Sequence, residues 1–344
     1  MSSLNKVNII SGLDQADWSF LGGYSKIAVI VDENTLEHCY PLVKGYLPEH
    51  LLVEVPSGEE NKHLGTCQRI WEAMTEAAFD RKGLVLNLGG GVIGDMGGFC
   101  ASTYKRGIDF VQLPTTLLAQ VDASVGGKLG IDFQGFKNHI GVFRIPKLVL
   151  ICPVFLETLP RRELRSGFAE VVKHGLIRDA AAWKALQWRS LEDQDWAEVI
   201  AHSVALKAGV VEEDPEESGL RKILNFGHTI GHAVETYFLE KGPRLLHGEA
   251  IAVGMVAESF LSQQQGWITE TELDGLKAYL IGIFGKVDIP SEALEAVEGL
   301  ALQDKKNEGG KIKAALLEGI GQAGFNHEID AEDIRAGLEF YGVG

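Results

Sequence analysis

The sequence predicts an α/β amino-terminal domain built on a mostly parallel sheet, followed by an all-helical carboxyl-terminal domain. Three observations carry this. Short β-branched runs alternate with helical patterns over the first 159 residues, and a glycine-rich turn follows one of those runs. Beyond Pro160 the strand signal fades into helical patterns with short connections. A chain of 344 residues also exceeds the roughly 100 to 200 residues of one ordinary domain, so the boundary is set between 1–159 and 160–344.

Residues 26–32 (KIAVIVD) are a β-branched run ending in a polar turn, as expected of a buried parallel strand, and they place Asp32 and Asn34 at its carboxyl end. Residues 51–55 form a second strand, and the turn after it carries Glu59 and Lys62 into a helical pattern that reaches Ala78. Residues 84–88 form a third. Gly89-Gly90-Gly91-Val92-Ile93-Gly94-Asp95 then satisfies G-x-G-x-x-G and opens a helix, so the domain is Rossmann-like in pattern. The motif can set backbone amides against a pyrophosphate or can simply be a tight turn; it does not follow the first strand of the domain. Asp95, at the helix start, can be a cap, and Asp32, Glu59 and Asp95, which all follow strands, can approach ribose hydroxyls.

The run 110–116 is another strand ending at Pro114-Thr115-Thr116, whose hydroxyls can cap a helix or hold a ligand. Between Asp122 and Gly130 glycines and polar groups replace any apolar period, with Lys128 inside and Lys137-Asn138 shortly after. This is either a surface loop or a place where backbone and ammonium groups meet an anion. Residues 148–152 close the set of strands. Further on, Glu170, Lys173 and His174 fall on adjacent turns of one helical pattern, Lys207 lies on another, and residues 212–217 (EEDPEE) read as a solvated acidic loop. Asp304-Lys305-Lys306 reads as a basic turn.

The stretch 221–249 holds three of the ten histidines. His228 and His232 are four apart, so on a helix both imidazoles leave one face, which is metal-ligand spacing. His247 follows a Gly-Pro connection and must come from another element. A formal charge of −16 excludes a nucleic-acid partner, since phosphate backbones are bound by basic faces, but it leaves room for a small anion. Four dispersed cysteines fit reduced thiols, and neither a targeting segment nor a membrane span is visible, so a soluble cytoplasmic protein is expected.

Taken in order, residues 89–95, 113–128, 137–138, 163–175, 221–235, 247–249 and 304–306 resemble the 3-dehydroquinate synthases, sugar-phosphate cyclases of the shikimate pathway. The resemblance implies a homodimer that binds NAD in its amino-terminal domain and a divalent metal, zinc or possibly cobalt, in its carboxyl-terminal one. The implied substrate is a small anionic sugar phosphate, 3-deoxy-D-arabino-heptulosonate 7-phosphate, converted to 3-dehydroquinate and phosphate by transient oxidation, phosphate β-elimination, re-reduction and aldol closure. On this basis Glu170, His228 and His247 match the metal ligands, and His232, which spacing alone pairs with His228, matches a substrate-side group. Arg106, Asp122, Lys128, Lys137, Asn138, Lys173, Lys207, Arg221, Asn225 and Lys306 match the substrate positions, with Lys305 less secure. Asp32, Asn34, Glu59, Lys62, Gly90, Gly91, Asp95, Thr115, Thr116 and Thr158 match the NAD site. The alternatives are another NAD- and metal-dependent cyclase, a metal-dependent alcohol dehydrogenase of similar architecture, and a noncatalytic NAD-binding protein.

Overall fold

The computed structural model describes residues 6–134, 136–303 and 312–342. The chain forms two units: Met1–Leu164 with Trp196–Ala208, and Arg165–Asp195 with Gly209–Gly344.

In the first unit the strands and helices run in the order β1 Val7–Ile9, β2 Ile27–Val31, α1 Glu33–His38, α2 Tyr40–Val43, β3 Leu51–Glu54, α3 Leu64–Glu76, β4 Leu84–Gly89, α4 Gly91–Thr103, β5 Asp109–Pro114, β6 Lys128–Phe133, β7 Phe136–Phe143 and β8 Leu148–Ile151. Six strands make one sheet in the order β1-β8-β5-β4-β2-β3, and every pairing in it is parallel. Both faces of β2 are buried, which is why its sequence is apolar without alternation. Ile27, Val29 and Val31 enter one core cluster with Leu84, Leu86 and Leu88; Ala28 and Ile30 enter the other with residues of α3 and α4. The strand order reverses between β2 and β4, so the carboxyl ends that carry Asp32 and Gly89–Gly91 lie at the switch point, where open α/β sheets bind ligands.

Two features of this unit differ from a plain loop at 122–138. Residues Ala119–Ala123 form a single π turn. After it β6 and β7 form an antiparallel hairpin of their own. Gly127, at φ +66, makes the bend into β6, and a Cβ there would meet the Ile145 side chain at 2.6 Å. Glycines placed for tight backbone geometry, not for looseness, explain why the apolar period vanishes here.

The second unit is helical. It takes up most of α5 Arg161–Arg178, then α6 Ala180–Gln187, the end of α7 Trp196–Glu213, α8 His228–Lys241, α9 His247–Gln264, α10 Glu270–Phe284, α11 Ala293–Gln303 and α12 Ala331–Tyr341. One antiparallel hairpin, β9 Ile312–Gly319 with β10 Gln322–Ile329, is added to the expected helices. Helix α9 is buried nearly all round, from Gly248 to Ser259, as a central helix must be. It passes α8 at backbone contact: a Cβ on Gly254 would lie 1.9 Å from Gly227 O, and one on Gly231 would lie 3.0 Å from Ala250 O. Among the described residues no helix is long and apolar enough to cross a membrane.

Gly254→Ala should therefore force α8 off α9 and cost about 1–3 kcal/mol of stability. A lower urea midpoint with unchanged slope is the expected result; an unchanged midpoint would show that the helix spacing is not set there.

Candidate active site

In the second unit the third turn of α5 carries Glu170 into the core with no residual exposure, and Lys173, one turn on and also buried, forms an ion pair with it. The other carboxylate oxygen, Oε1, is buried and accepts no hydrogen bond of ordinary length. It is faced instead by His228 Nε2 at 3.5 Å and His247 Nε2 at 3.6 Å. Donor atoms about 2.0–2.1 Å from a tetrahedral ion stand roughly 3.4 Å from one another, so these separations suit ligands of a shared cation better than hydrogen-bond partners. His228 begins α8 and His247 begins α9, two helices whose glycine contact fixes the distance between them.

Burial and the neighbouring charges move the two imidazoles in opposite directions. Burial works against charge on Glu170, but Lys173 and the two imidazoles outweigh it and hold the carboxyl well below its usual range. Burial, then Lys173, pushes His228 well below its ordinary value, leaving a neutral ring with a lone pair to offer. For His247 burial is outweighed by Glu170 and Glu235, which lift it to about 9. Glu235 Oε2 lies 3.5 Å from His247 Nδ1.

His232 stands beside them, its ring centroid 5.0 Å from His228 and 5.7 Å from His247, and ligand atoms of all three histidines lie within 4.8 Å of one another. Three imidazoles thus converge, with the Glu170 carboxylate facing two of them.

Nearby in the same unit Arg221 is buried, its amide bonded to Asp214 Oδ2 at 3.0 Å and its guanidinium to Pro215 O at 2.7 Å. Asn225 Nδ2 donates to Glu217 Oε1 at 2.7 Å. The acidic segment is exposed at Glu212, Glu213, Pro215 and Glu216, as expected, but not at Asp214. Asp214 is buried and gathers the amides of Ser218, Gly219 and Arg221, which outweigh its burial and bring its carboxyl down to about 2. The Asp-Pro step followed by Ser-Gly was the signal in the sequence for such a folded turn.

In the first unit Lys62 is buried and its ammonium donates to Asp95 Oδ2 and Asn138 Oδ1, each at 2.7 Å, with Glu59 Oε1 at 3.9 Å. Burial disfavours the Lys62 charge, yet Asp95 and Glu59 more than offset this and raise it. The Lys62 carbonyl accepts from Asp132, whose carboxylate accepts from the Asn138 amide at 2.7 Å, so the hairpin is tied to this lysine twice. Lys207 donates to Asp122 at O and Oδ1, 2.6 and 2.5 Å away.

The other expected positions are more dispersed. Asp32 caps α1 through the Thr35 amide at 2.8 Å. Thr116 Oγ1 accepts from the Ala119 amide at 3.1 Å. Asn34, Arg106, Lys128, Lys137 and Thr158 are exposed. Lys305 and Lys306 lie outside the described residues.

The glycine-rich turn after β4 leads into a helix N-terminus. Helix α4 starts at Gly90 with no side chain capping its first amides, and a cleft over that end is lined by Gly89, Gly90, Gly91, Gly94, Asp95 and Ser124 among others. A Cβ on Gly90 would come within 3.1 Å of Thr116, so glycine lets this turn pack closely on the start of the segment after β5.

The 3-dehydroquinate synthase N-terminal family model matches residues 52–166, and the 3-dehydroquinate synthase C-terminal model matches residues 167–307. The chain belongs to the 3-dehydroquinate synthase family. It is 39% identical to the 3-dehydroquinate synthase of Parabacteroides distasonis over 98% of both chains. Among solved structures it is similar to a 2-epi-5-epi-valiolone synthase from Streptomyces hygroscopicus with NAD+ and Zn2+ bound, at TM-score 0.86 and 28% identity over 97% of this chain and 96% of that one. It is also similar to a 2-deoxy-scyllo-inosose synthase complexed with carbaglucose-6-phosphate, NAD+ and Co2+, at TM-score 0.79 and 25% identity over 93% and 91%.

Asp214 yields a pH test. Its folded value, about 2, lies below the roughly 3.9 of an unfolded aspartate, so its contribution to stability is complete above that unfolded value and is lost as pH falls from about 4 toward 2. The stability gap between wild type and Asp214→Asn, measured by urea unfolding, should be constant from pH 7 to 5 and close toward pH 2; a gap that widens on acidification would contradict the assignment.

Proposed function

We propose that this chain converts 3-deoxy-D-arabino-heptulosonate 7-phosphate to 3-dehydroquinate and phosphate. The observation that carries the proposal is the buried Glu170 carboxylate faced by two imidazole nitrogens at 3.5 and 3.6 Å, in a chain whose two halves match the two halves of this enzyme family. NAD, when bound, supplies the means to take a hydride from a ring carbon and return it, and a divalent zinc or cobalt ion polarises oxygens bonded to it. Support for these cofactors comes from the donor set, the glycine-rich turn, and the NAD+ with Zn2+ or Co2+ in the two solved cyclases.

Residues 1–159 serve as the NAD-binding domain and 160–344 as the metal- and substrate-binding one. Glu170, His228 and His247 hold the ion, and His232 donates a hydrogen bond to substrate. Asp32, Asn34, Glu59, Lys62, Gly90, Gly91, Asp95, Thr115, Thr116 and Thr158 hold NAD: backbone amides at Gly90 and Gly91 meet the pyrophosphate, while the carboxylates of Asp32, Glu59 and Asp95 face sugar hydroxyls. A substrate with both phosphate and carboxylate needs local positive charge in an acidic protein, and Arg106, Lys128, Lys137, Lys173, Lys207, Arg221 and Lys306 provide it, oriented with Asp122, Asn138 and Asn225. Held by these cations, the phosphate is placed to accept the proton lost beside the oxidised carbon as it departs. The protein works in the cytoplasm as a homodimer.

Incubation with the heptulosonate phosphate, NAD and zinc should release phosphate and form the carbocycle in equal amounts, with no net NADH. NADH rising in step with product would identify a dehydrogenase, and turnover only with a phosphate that lacks the carboxylate would identify another cyclase.

The four converging donors separate by mutation. His228→Ala should lose zinc and turnover together, whereas His232→Ala should keep nearly stoichiometric zinc and lose turnover. Elemental analysis decides it: zinc lost from His232→Ala and kept by His228→Ala would exchange their roles.

A further inference from the structure

We infer that buried Glu258 on α9 is a positioning residue for His228, acting through the Phe226–Gly227 peptide to fix which nitrogen of that imidazole faces the metal site. The inference rests on His228 being a ligand, as proposed above. Glu258 has no residual exposure, and its two oxygens accept from Gly227 N at 2.5 Å and from Ile230 N at 3.0 Å. Gly227 is the residue that caps the start of α8, and Ile230 is the third residue of that helix, so one carboxylate from a neighbouring helix takes both halves of a capping box.

A cap alone explains the bond to Ile230. The second bond does more, because the Gly227 amide belongs to the same peptide unit as the Phe226 carbonyl, and that carbonyl lies 3.0 Å from His228 Nδ1. A carbonyl oxygen only accepts, so Nδ1 carries the proton and, in the neutral ring, Nε2 keeps its lone pair. Nε2 is the atom that faces Glu170 Oε1. The atoms form one line: carboxylate, peptide N–H, peptide C=O, imidazole N–H, and the lone pair at the site. A charged acceptor at one end of a peptide polarises it and strengthens its oxygen as an acceptor at the other. Metal-binding histidines are oriented and made more basic by such outer partners, and His247 has a carboxylate, Glu235, directly at its Nδ1.

The surroundings hold this line in place. Gly227 has φ +79, a left-handed conformation suited to glycine, and a Cβ there would meet Met255 at 2.5 Å. Gly254, four residues before Glu258 on the same face of α9, presses against Gly227 O. Gly227 is thus held from both sides by the same helix that supplies the acceptor for its amide.

The test uses the full protein loaded with Co2+, its affinity measured by competition with a chelator and its coordination by visible absorption. In Glu258→Gln the amide can accept only one of the two backbone protons, so Co2+ should bind roughly tenfold or more weakly with altered bands. A folded Glu258→Gln protein with wild-type affinity and spectrum, even if it melts earlier, would reduce Glu258 to a helix cap and overturn the inference. Should that variant not fold, nitrogen NMR of histidine-labelled wild type with zinc bound decides: a proton on His228 Nδ1 and metal on Nε2 is expected, and the reverse arrangement refutes it. Wild type that takes up Co2+ without perturbing His228 would overturn the ligand assignment and this inference together, whereas an unchanged Glu258→Gln overturns this inference alone.

Discussion

A carboxylate with no exposure is the constraint on which the second unit depends. Taking the Glu170 charge out of water costs several kcal/mol unless compensating groups surround it. Lys173 supplies one compensation from the next turn of α5, and the imidazoles of His228 and His247 stand where a cation can supply the rest. Each of these side chains sits at a determined place on its helix: Glu170 and Lys173 one turn apart, His228 and His247 each at the first position of theirs. Helix starts are stiff on the core side yet open toward solvent, which lets a ligand atom be both well placed and reachable.

The first unit solves the converse problem. There the buried charge is positive, Lys62, and its partners come from three separate elements: Glu59 before α3, Asp95 on α4 and Asn138 on β7. The ammonium thus ties a strand-end turn, the glycine-started helix and the hairpin into one arrangement at the switch point of the sheet. Removing a partner from such a cluster strands a charge in the interior, so residues expected to touch a cofactor also hold the unit together.

The parallel sheet was legible because most of its strands are buried and therefore read as largely apolar runs: 26–32, 51–55, 84–88, 110–114 and 148–152 all became strands of it, although the edge strand at 51–54 is half exposed. β1 escaped notice because three residues are too few to show a period, and the hairpin at 128–143 because its second strand is exposed along its length. In the helical half the periodic helices were visible, whereas β9 and β10 were lost among glycines. Of the converging donors, His228 and His232 could be paired from spacing alone. His247 could be offered only as a group from another element, and Glu170 came as a ligand only through resemblance, since nothing local says that a residue 58 positions before His228 meets it. Glu235 and Glu258 show why: on a helix surface an isolated glutamate is the commonest of residues, and only the packing of α8 on α9 reveals what it faces.

The bare crossing of α8 and α9 sets an order of assembly. Where side chains separate two helices, rotamers can shift and the gap can follow whatever binds; where backbone lies on backbone, through Gly227, Gly231 and Gly254, there is nothing left to shift. The distance between His228 and His247 is settled when the core of the second unit closes around α9. Small zinc modules depend on their ion to fold at all. Here the packing of α8 on α9 holds the rings of His228 and His247 at a centroid distance of 5.4 Å.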